Sequence, residues 1–173
     1  MKTQGYSIWL IPENTTFKIL SAIIQKLSQK YSSPVFEPHV TLIGGISGTE
    51  TKVIAKTKEL ATKIAPYKIR FGGVNFLDYY FKALFLEVMP DKEVMKVNKM
   101  ATKIFDMEDQ SYAPHLSLIY GDFSEDLKKE MIKNLKPKIL TLSFEVNKIY
   151  LYKTGGEIND WKRIKQLELF MPH

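Results

Sequence analysis

"PHVTLIGG" at residues 38–45 and "PHLSLIYG" at residues 114–121 are identical at five of eight positions, and two of the differences, Val/Leu and Thr/Ser, are conservative. The chain has only three histidines, and two of them occupy the same place in this repeat, each two residues before a hydroxyl. In a strand, successive side chains point to opposite faces. His39 and Thr41 therefore share one face while Val40 and Leu42 take the other, and His115 and Ser117 stand in the same way against Leu116 and Leu118. Each copy offers an imidazole and a hydroxyl about 6–7 Å apart. Pro38 and Pro114 hold the approach to each strand extended.

Outward from the repeat, the same order of elements flanks both copies. Gly5–Ile11 alternates as a strand, and Thr15–Tyr31 carries apolar residues at helical spacing before the first histidine strand. A second helix spans Thr49–Ala65 and stops at Pro66. Lys68–Leu77 and Tyr80–Met89 read as a hairpin around Asp78-Tyr79. A third helix, capped by Asp91, runs to about Phe105 and leads into the second histidine strand. Ser124 or Asp122 caps a fourth helix, Glu125–Lys136. Ile139–Tyr150 alternates as one strand, and a last strand covers about Arg163–Phe170. This duplicated order predicts an α+β fold with two pseudo-symmetric lobes. Each lobe is an antiparallel sheet with outer helices, and an active-site groove lies between them. No Ser- or Gly-rich linker divides the halves, so residues 1–173 are expected to form one bilobal domain.

Composition narrows the setting. At 173 residues and 45% hydrophobic content the chain can bury a sizeable core. It has no cysteine, which rules out disulfides and thiolate metal sites and fits a reducing cytoplasm. No apolar run approaches the roughly 20 residues of a membrane span, and the N-terminal run ends too soon for a signal peptide. A soluble cytoplasmic protein without a membrane partner is expected. The net charge of +6 favours an anionic ligand. The lysines at 52, 56 and 63, at 96, 99 and 103, and at 128, 129 and 133 nonetheless read as solvated helix faces.

Two imidazoles and two hydroxyls on one groove suit hydrolysis of a strained phosphodiester. One neutral imidazole takes a proton from water, and the other, as imidazolium, gives one to the departing oxygen. Histidine suits both tasks because its ordinary pKa lies near 6.5. Thr41 and Ser117 can donate to the non-bridging oxygens, where negative charge must be held. A single His-x-Thr is a weak motif that packing explains as well. Two copies in matching positions carry the argument.

The motifs resemble those of the two-histidine phosphoesterase superfamily, and within it the cyclic phosphodiesterase family known from plants and yeast. The likeness covers nearly the whole chain, through "YSIWLIP" at 6–12, "FEPHVTLIGG" at 36–45, "YYFKALFLEV" at 79–88, "SYAPHLSLIYGD" at 111–122, and Trp161 before the last strand. It implies that His39 and His115 are the acid and base and that Thr41 and Ser117 hold phosphate oxygens. It implies too that Tyr120 and Trp9 line a nucleotide site. The implied substrates are ADP-ribose 1″,2″-cyclic phosphate, a by-product of tRNA splicing, and nucleoside 2′,3′-cyclic phosphates. Other branches act on RNA ends or 2′-5′ linkages, and a non-catalytic nucleotide- or RNA-binding module is the rival from another class. Expected with the main reading are a monomer, no cofactor and no metal. The order of roles expected is His115 activating water and His39 protonating the leaving oxygen.

Several residues bear on that expectation. Strict alternation puts Tyr120 on the face opposite His115 and Ser117, so it joins the groove only if the strand ends near Gly121. A strand tryptophan such as Trp9 is commonly plain core. Glu37 reads as a loop carboxylate, and Tyr79, Tyr80 and Phe81 as a locally packed hairpin tip. Gly44-Gly45 and Gly72-Gly73 lack the spacing of a phosphate loop. His39 and His115 have no carboxylate partner that would make them a zinc site. His173, at the terminus, is expected to be disordered.

Overall fold

The two histidine repeats become the central strands of the sheet. The structure is a computed structural model that describes residues 3–108 and 111–170, so His173 lies outside the described residues. Among the described residues the chain forms β1 (Tyr6–Leu10), α1 (Asn14–Tyr31), β2 (Val40–Ile46), α2 (Glu50–Ala61), β3 (Tyr67–Asn75) and β4 (Leu84–Val88). It continues through α3 (Lys92–Ile104), β5 (His115–Ile119), α4 (Glu125–Lys133), β6 (Ser143–Val146), β7 (Lys148–Lys153) and β8 (Lys162–Glu168). The strands join in one sheet of order β6-β3-β4-β5-β2-β1-β7-β8, with every neighbouring pair antiparallel.

That order explains the duplication. Counted outward from the seam between β2 and β5, β1 and β4 hold matching places, as do β7 and β3, then β8 and β6. The α+β class and the paired halves are as expected. The halves are two ends of one sheet and not separate sheets facing across a gap. Val40 pairs with Leu116 at the seam.

One face of this sheet buries the core. Ile8, Leu10, Val40, Leu42, Leu116 and Leu118 are fully buried there, and Leu20 of α1 and Val94, Val97 and Ala101 of α3 pack into the same cluster. Each large aliphatic buried this way contributes about 1.5–3 kcal/mol. The helices cross over the seam: α1 packs against β5, and α3 packs against β2. Asn98 of α3 donates to the Leu42 carbonyl at 2.8 Å, and Ser33, just past α1, donates to the Tyr120 carbonyl at 2.5 Å. Each half therefore fastens the other.

Two expected strands are corrected. The alternating stretch 139–150 is broken into a 3-10 turn at Pro137–Thr141, then β6, then β7. β6 pairs with β3 at one edge of the sheet, whereas β7 pairs with β1 in the other half. Two consecutive strands keep one alternating pattern when the chain crosses between halves at a single residue, here Asn147, so periodicity does not reveal the break. The strand expected from Tyr80 starts at Leu84, because Tyr80–Lys82 is a 3-10 turn. That turn is closed by Lys82 N–H donating to the Tyr79 carbonyl and Leu77 N–H donating to the Lys82 carbonyl.

Helix ends shift for similar reasons. α2 stops at Ala61, where Phe170 N–H donates to the carbonyls of Ala61 and Ile64 and supplies from β8's end the partners a further turn would have given. Ser124 caps α4 by accepting from Leu127 N–H, and the helix ends at Lys133. Asp91 precedes α3 without a side-chain cap, since its carboxylate instead takes two hydrogen bonds from Arg70.

Candidate active site

The seam sets the geometry of the site. With Val40 opposite Leu116, continuing the antiparallel register one residue either way sets His39 beside Ser117 and Thr41 beside His115. The aliphatic pair points to the core, so these four side chains lie together on the other face. They line one cavity of about 490 Å³, along with Trp9 and Tyr120. All six residues singled out in the sequence are thus brought together. Tyr79, Phe81 and Trp161 also line it, and Tyr79 is 52% exposed. The hairpin-tip aromatics are therefore only in part local packing.

The two prolines do more than extend the chain. Nδ1 of His39 lies 2.6 Å from the carbonyl of Glu37, and Nδ1 of His115 lies 3.0 Å from that of Ala113. A carbonyl can only accept, so Nδ1 carries the proton in both rings. Each neutral ring then holds its lone pair at Nε2, and neither Nε2 makes a hydrogen bond among the described residues. A residue before proline favours extended backbone, and in both copies its carbonyl meets the ring of the histidine two residues on. The carbonyl two residues before each histidine therefore sets the tautomer for as long as the ring stays against it.

Burial tunes both rings. His39 is 7% exposed, and loss of solvent pulls its pKa down to about 4 against the opposing hydrogen bond to Glu37, with the nearby His115 adding to the shift. His115 is also lowered, mainly by burial and further by the charge of Lys82, while the Ala113 carbonyl opposes. Stability should follow from this sign. Above pH 6.5, His39 is neutral in both folded and unfolded chains; below it, the unfolded chain takes up a proton that the folded ring resists. Stability is therefore lost as pH falls from 6.5 toward 4, by roughly 2–3 kcal/mol at about pH 4.5. Urea unfolding at pH 7 and at about pH 4.5 measures this, and the His39→Gln variant is expected to show a smaller acid loss.

The aromatic residues take different parts. Trp9 is sandwiched, with His39 stacked on one face at 3.6 Å and Tyr152 on the other at 3.8 Å. Both faces being taken, it presents only its edge to the cavity and no base can stack on it. Tyr120 reaches the cavity because β5 ends at Ile119 and Gly121, at φ 150, turns the chain where an L side chain is strained. Its ring stacks on Phe36 at 3.7 Å. Burial raises its phenol pKa, and the Ser117 hydroxyl opposes that shift.

The hydroxyls also differ. Ser117 Oγ donates to the Phe81 carbonyl at 2.7 Å, tying β5 to the 3-10 turn, whereas Thr41 is anchored through its main chain, whose carbonyl accepts from Tyr112 Oη at 2.9 Å. Glu37 does not touch His39 with its carboxylate, which instead accepts from the Tyr152 hydroxyl and from Arg163 Nη2 at 2.8 Å. Tyr152 and Arg163 went unnoticed in the sequence. The only signal was "KIYLYK" at 148–153, whose alternation puts Tyr150 and Tyr152 on one face. Among the described residues no three His, Cys, Asp or Glu side chains are grouped so as to hold a metal, and no helix is long and apolar enough to cross a membrane.

Comparison with known proteins bears on the family and the fold. The chain is 25% identical over 171 residues to a cyclic phosphodiesterase of Arabidopsis thaliana, covering 95% of this chain and 94% of that one. It is 31% identical over 157 residues to a 2′,3′-cyclic-nucleotide 3′-phosphodiesterase of Kluyveromyces lactis, covering 78% of this chain and 72% of the relative. The fold is similar to the crystal structure of E. coli LigT in apo form, with a TM-score of 0.66 over 99% of this chain and 100% of that one at 13% identity. Residues 4–169 match the family described as cyclic phosphodiesterase-like protein, and the chain belongs to that family.

Proposed function

We propose that this protein hydrolyses a cyclic phosphodiester on a nucleotide ribose, without a metal, by paired acid–base catalysis between His39 and His115. The observation that carries the reading is the Val40–Leu116 register, because it gathers both imidazoles and both hydroxyls around one space. His115 Nε2 takes a proton from water as its oxygen attacks phosphorus. The bond from phosphorus to one ribose oxygen breaks opposite the attack, and that oxygen leaves with the proton from His39 Nε2. The product is a ribose phosphomonoester. Thr41 and Ser117 hold the two non-bridging oxygens. Tyr79, Phe81 and Trp161 offer the apolar wall for the nucleoside.

The division of labour has a physical basis. Burial keeps both rings neutral while the groove is empty, and the phosphodiester anion restores an imidazolium when substrate binds. The indole face of Trp9 under His39 suits a cation, whereas the Lys82 charge beside His115 opposes one. On this reading His39 is the acid and His115 the base.

Incubation with nucleoside 2′,3′-cyclic phosphates and with ADP-ribose 1″,2″-cyclic phosphate, each in excess EDTA, tests this. Phosphomonoester product is expected from at least one, with a bell-shaped pH dependence. Tight binding without turnover of either, or turnover only on adding metal, would overturn the reading.

A further inference from the structure

The two histidines look alike in sequence and are held very differently. Among the described residues the one aromatic contact of His115 is edge-on, with Phe85 at 5.3 Å between ring centres. His39 lies flat on Trp9, with 3.6 Å between centres and 9° between planes, and Tyr152 lies nearly flat on the far face of the same indole at 3.8 Å and 20°. Neutral aromatic rings favour offset or edge-on arrangements at about 4.5–7 Å. Two successive close stacks ending on an imidazole need something to hold them.

The hold is at the outer end. The Tyr152 hydroxyl donates to the Glu37 carboxylate and accepts from Arg163 Nε at 3.0 Å, while Arg163 Nη2 donates to the same carboxylate at 2.8 Å. The guanidinium also lies over the rings of Tyr150 and Tyr152, at 4.8 and 5.7 Å. This closed triangle pins the Tyr152 ring, and so the face of Trp9 that His39 rests against. Glu37 acts a second time, since its main-chain carbonyl accepts a hydrogen bond from His39 Nδ1–H. One residue thus fixes the imidazole by its edge and, through two rings, by its face. Ala113 stands in the corresponding place before His115 and has no such side chain.

We propose that Tyr152 is a positioning residue for His39, acting through Trp9 and held by Glu37 and Arg163. The kinetic part rests on the function proposed above; the structural part does not. An ordinary core aromatic would change stability when removed and leave the two histidines equally affected. A positioning residue changes the rate and His39 alone.

The test compares Tyr152→Ala, Tyr152→Phe and Arg163→Ala with the native chain. It reads kcat and KM on a nucleoside 2′,3′-cyclic phosphate, and the tautomer of each histidine from ring carbon and nitrogen NMR shifts at pH 7. Tyr152→Ala is expected to lower kcat by about 10- to 100-fold with KM within about threefold, since a small misplacement of a reacting group has that effect. His39 should pass from a single Nδ1–H tautomer to a mixture while His115 keeps its own. Tyr152→Phe, which retains the ring but loses both hydroxyl bonds, should lower kcat by less than Tyr152→Ala does. Arg163→Ala, at the surface, should show the same pattern in smaller measure and serves if Tyr152→Ala does not fold. Unchanged His39 shifts in the alanine variants, equal changes at both histidines, or Tyr152→Phe falling as far as Tyr152→Ala would each overturn the proposal. A native protein that turns over no cyclic phosphate would remove the proposed function, leaving the NMR comparison to decide the positioning on its own.

Discussion

Alanine at position 39 or 115 is expected to lower kcat on a cyclic nucleotide by about 10²–10⁴-fold, the usual contribution of a placed acid or base. KM should change little, because the apolar wall of Tyr79, Phe81 and Trp161 is untouched. The double variant should be scarcely worse than either single one, since one proton relay is already broken when half of it is missing. Circular dichroism would show whether each variant still folds, and single-turnover rates would isolate chemistry from product release. A residual rate within about tenfold of native in either folded variant is incompatible with paired histidine catalysis.

The hydroxyls carry the second large effect, and they should not behave alike. Thr41→Val keeps the shape of the side chain and removes the donor, so kcat should drop by about 10²–10³-fold with the melting temperature almost unchanged. Ser117 already donates to the Phe81 carbonyl, so it must give up that bond to serve a phosphate oxygen. Ser117→Ala should lower kcat less than Thr41→Val does. It should also cost about 1–3 kcal/mol of stability, because the Phe81 carbonyl loses its donor. Parallel kinetics and thermal melts on the two variants decide this. Equal stability losses would mean that the Ser117 bond has no structural weight.

How much of this was legible beforehand depends on how local the cause was. The face shared by His39 and Thr41, and that shared by His115 and Ser117, follow from alternation within one strand, which needs no partner. The duplication was visible because its elements recur in the same order. What the chain does across distance was not. Register between β2 and β5 rests on one pair, Val40 with Leu116, and nothing local specifies it. The stretch 139–150 alternates without interruption although its two parts join opposite halves of the sheet. Trp9 was readable as a strand aromatic, but that both its faces are occupied depends on Tyr152, more than a hundred residues away. Tyr120 defied alternation because its strand stops one residue earlier. Glu37 read as a loop carboxylate because its partners, Tyr152 and Arg163, are distant in the chain.

The placement of β7 and β8 beside β1 has a consequence for synthesis on the ribosome. The opening half of the chain emerges with both of its helices and one histidine, yet its sheet stays unfinished until residues 148–168 arrive to complete it. An internal repeat usually invites the thought that an ancestral copy could stand alone. Here the first copy lacks β7 and β8, and the second lacks α1, which packs against β5, so cutting between α2 and β3 should give fragments that acquire order only when mixed.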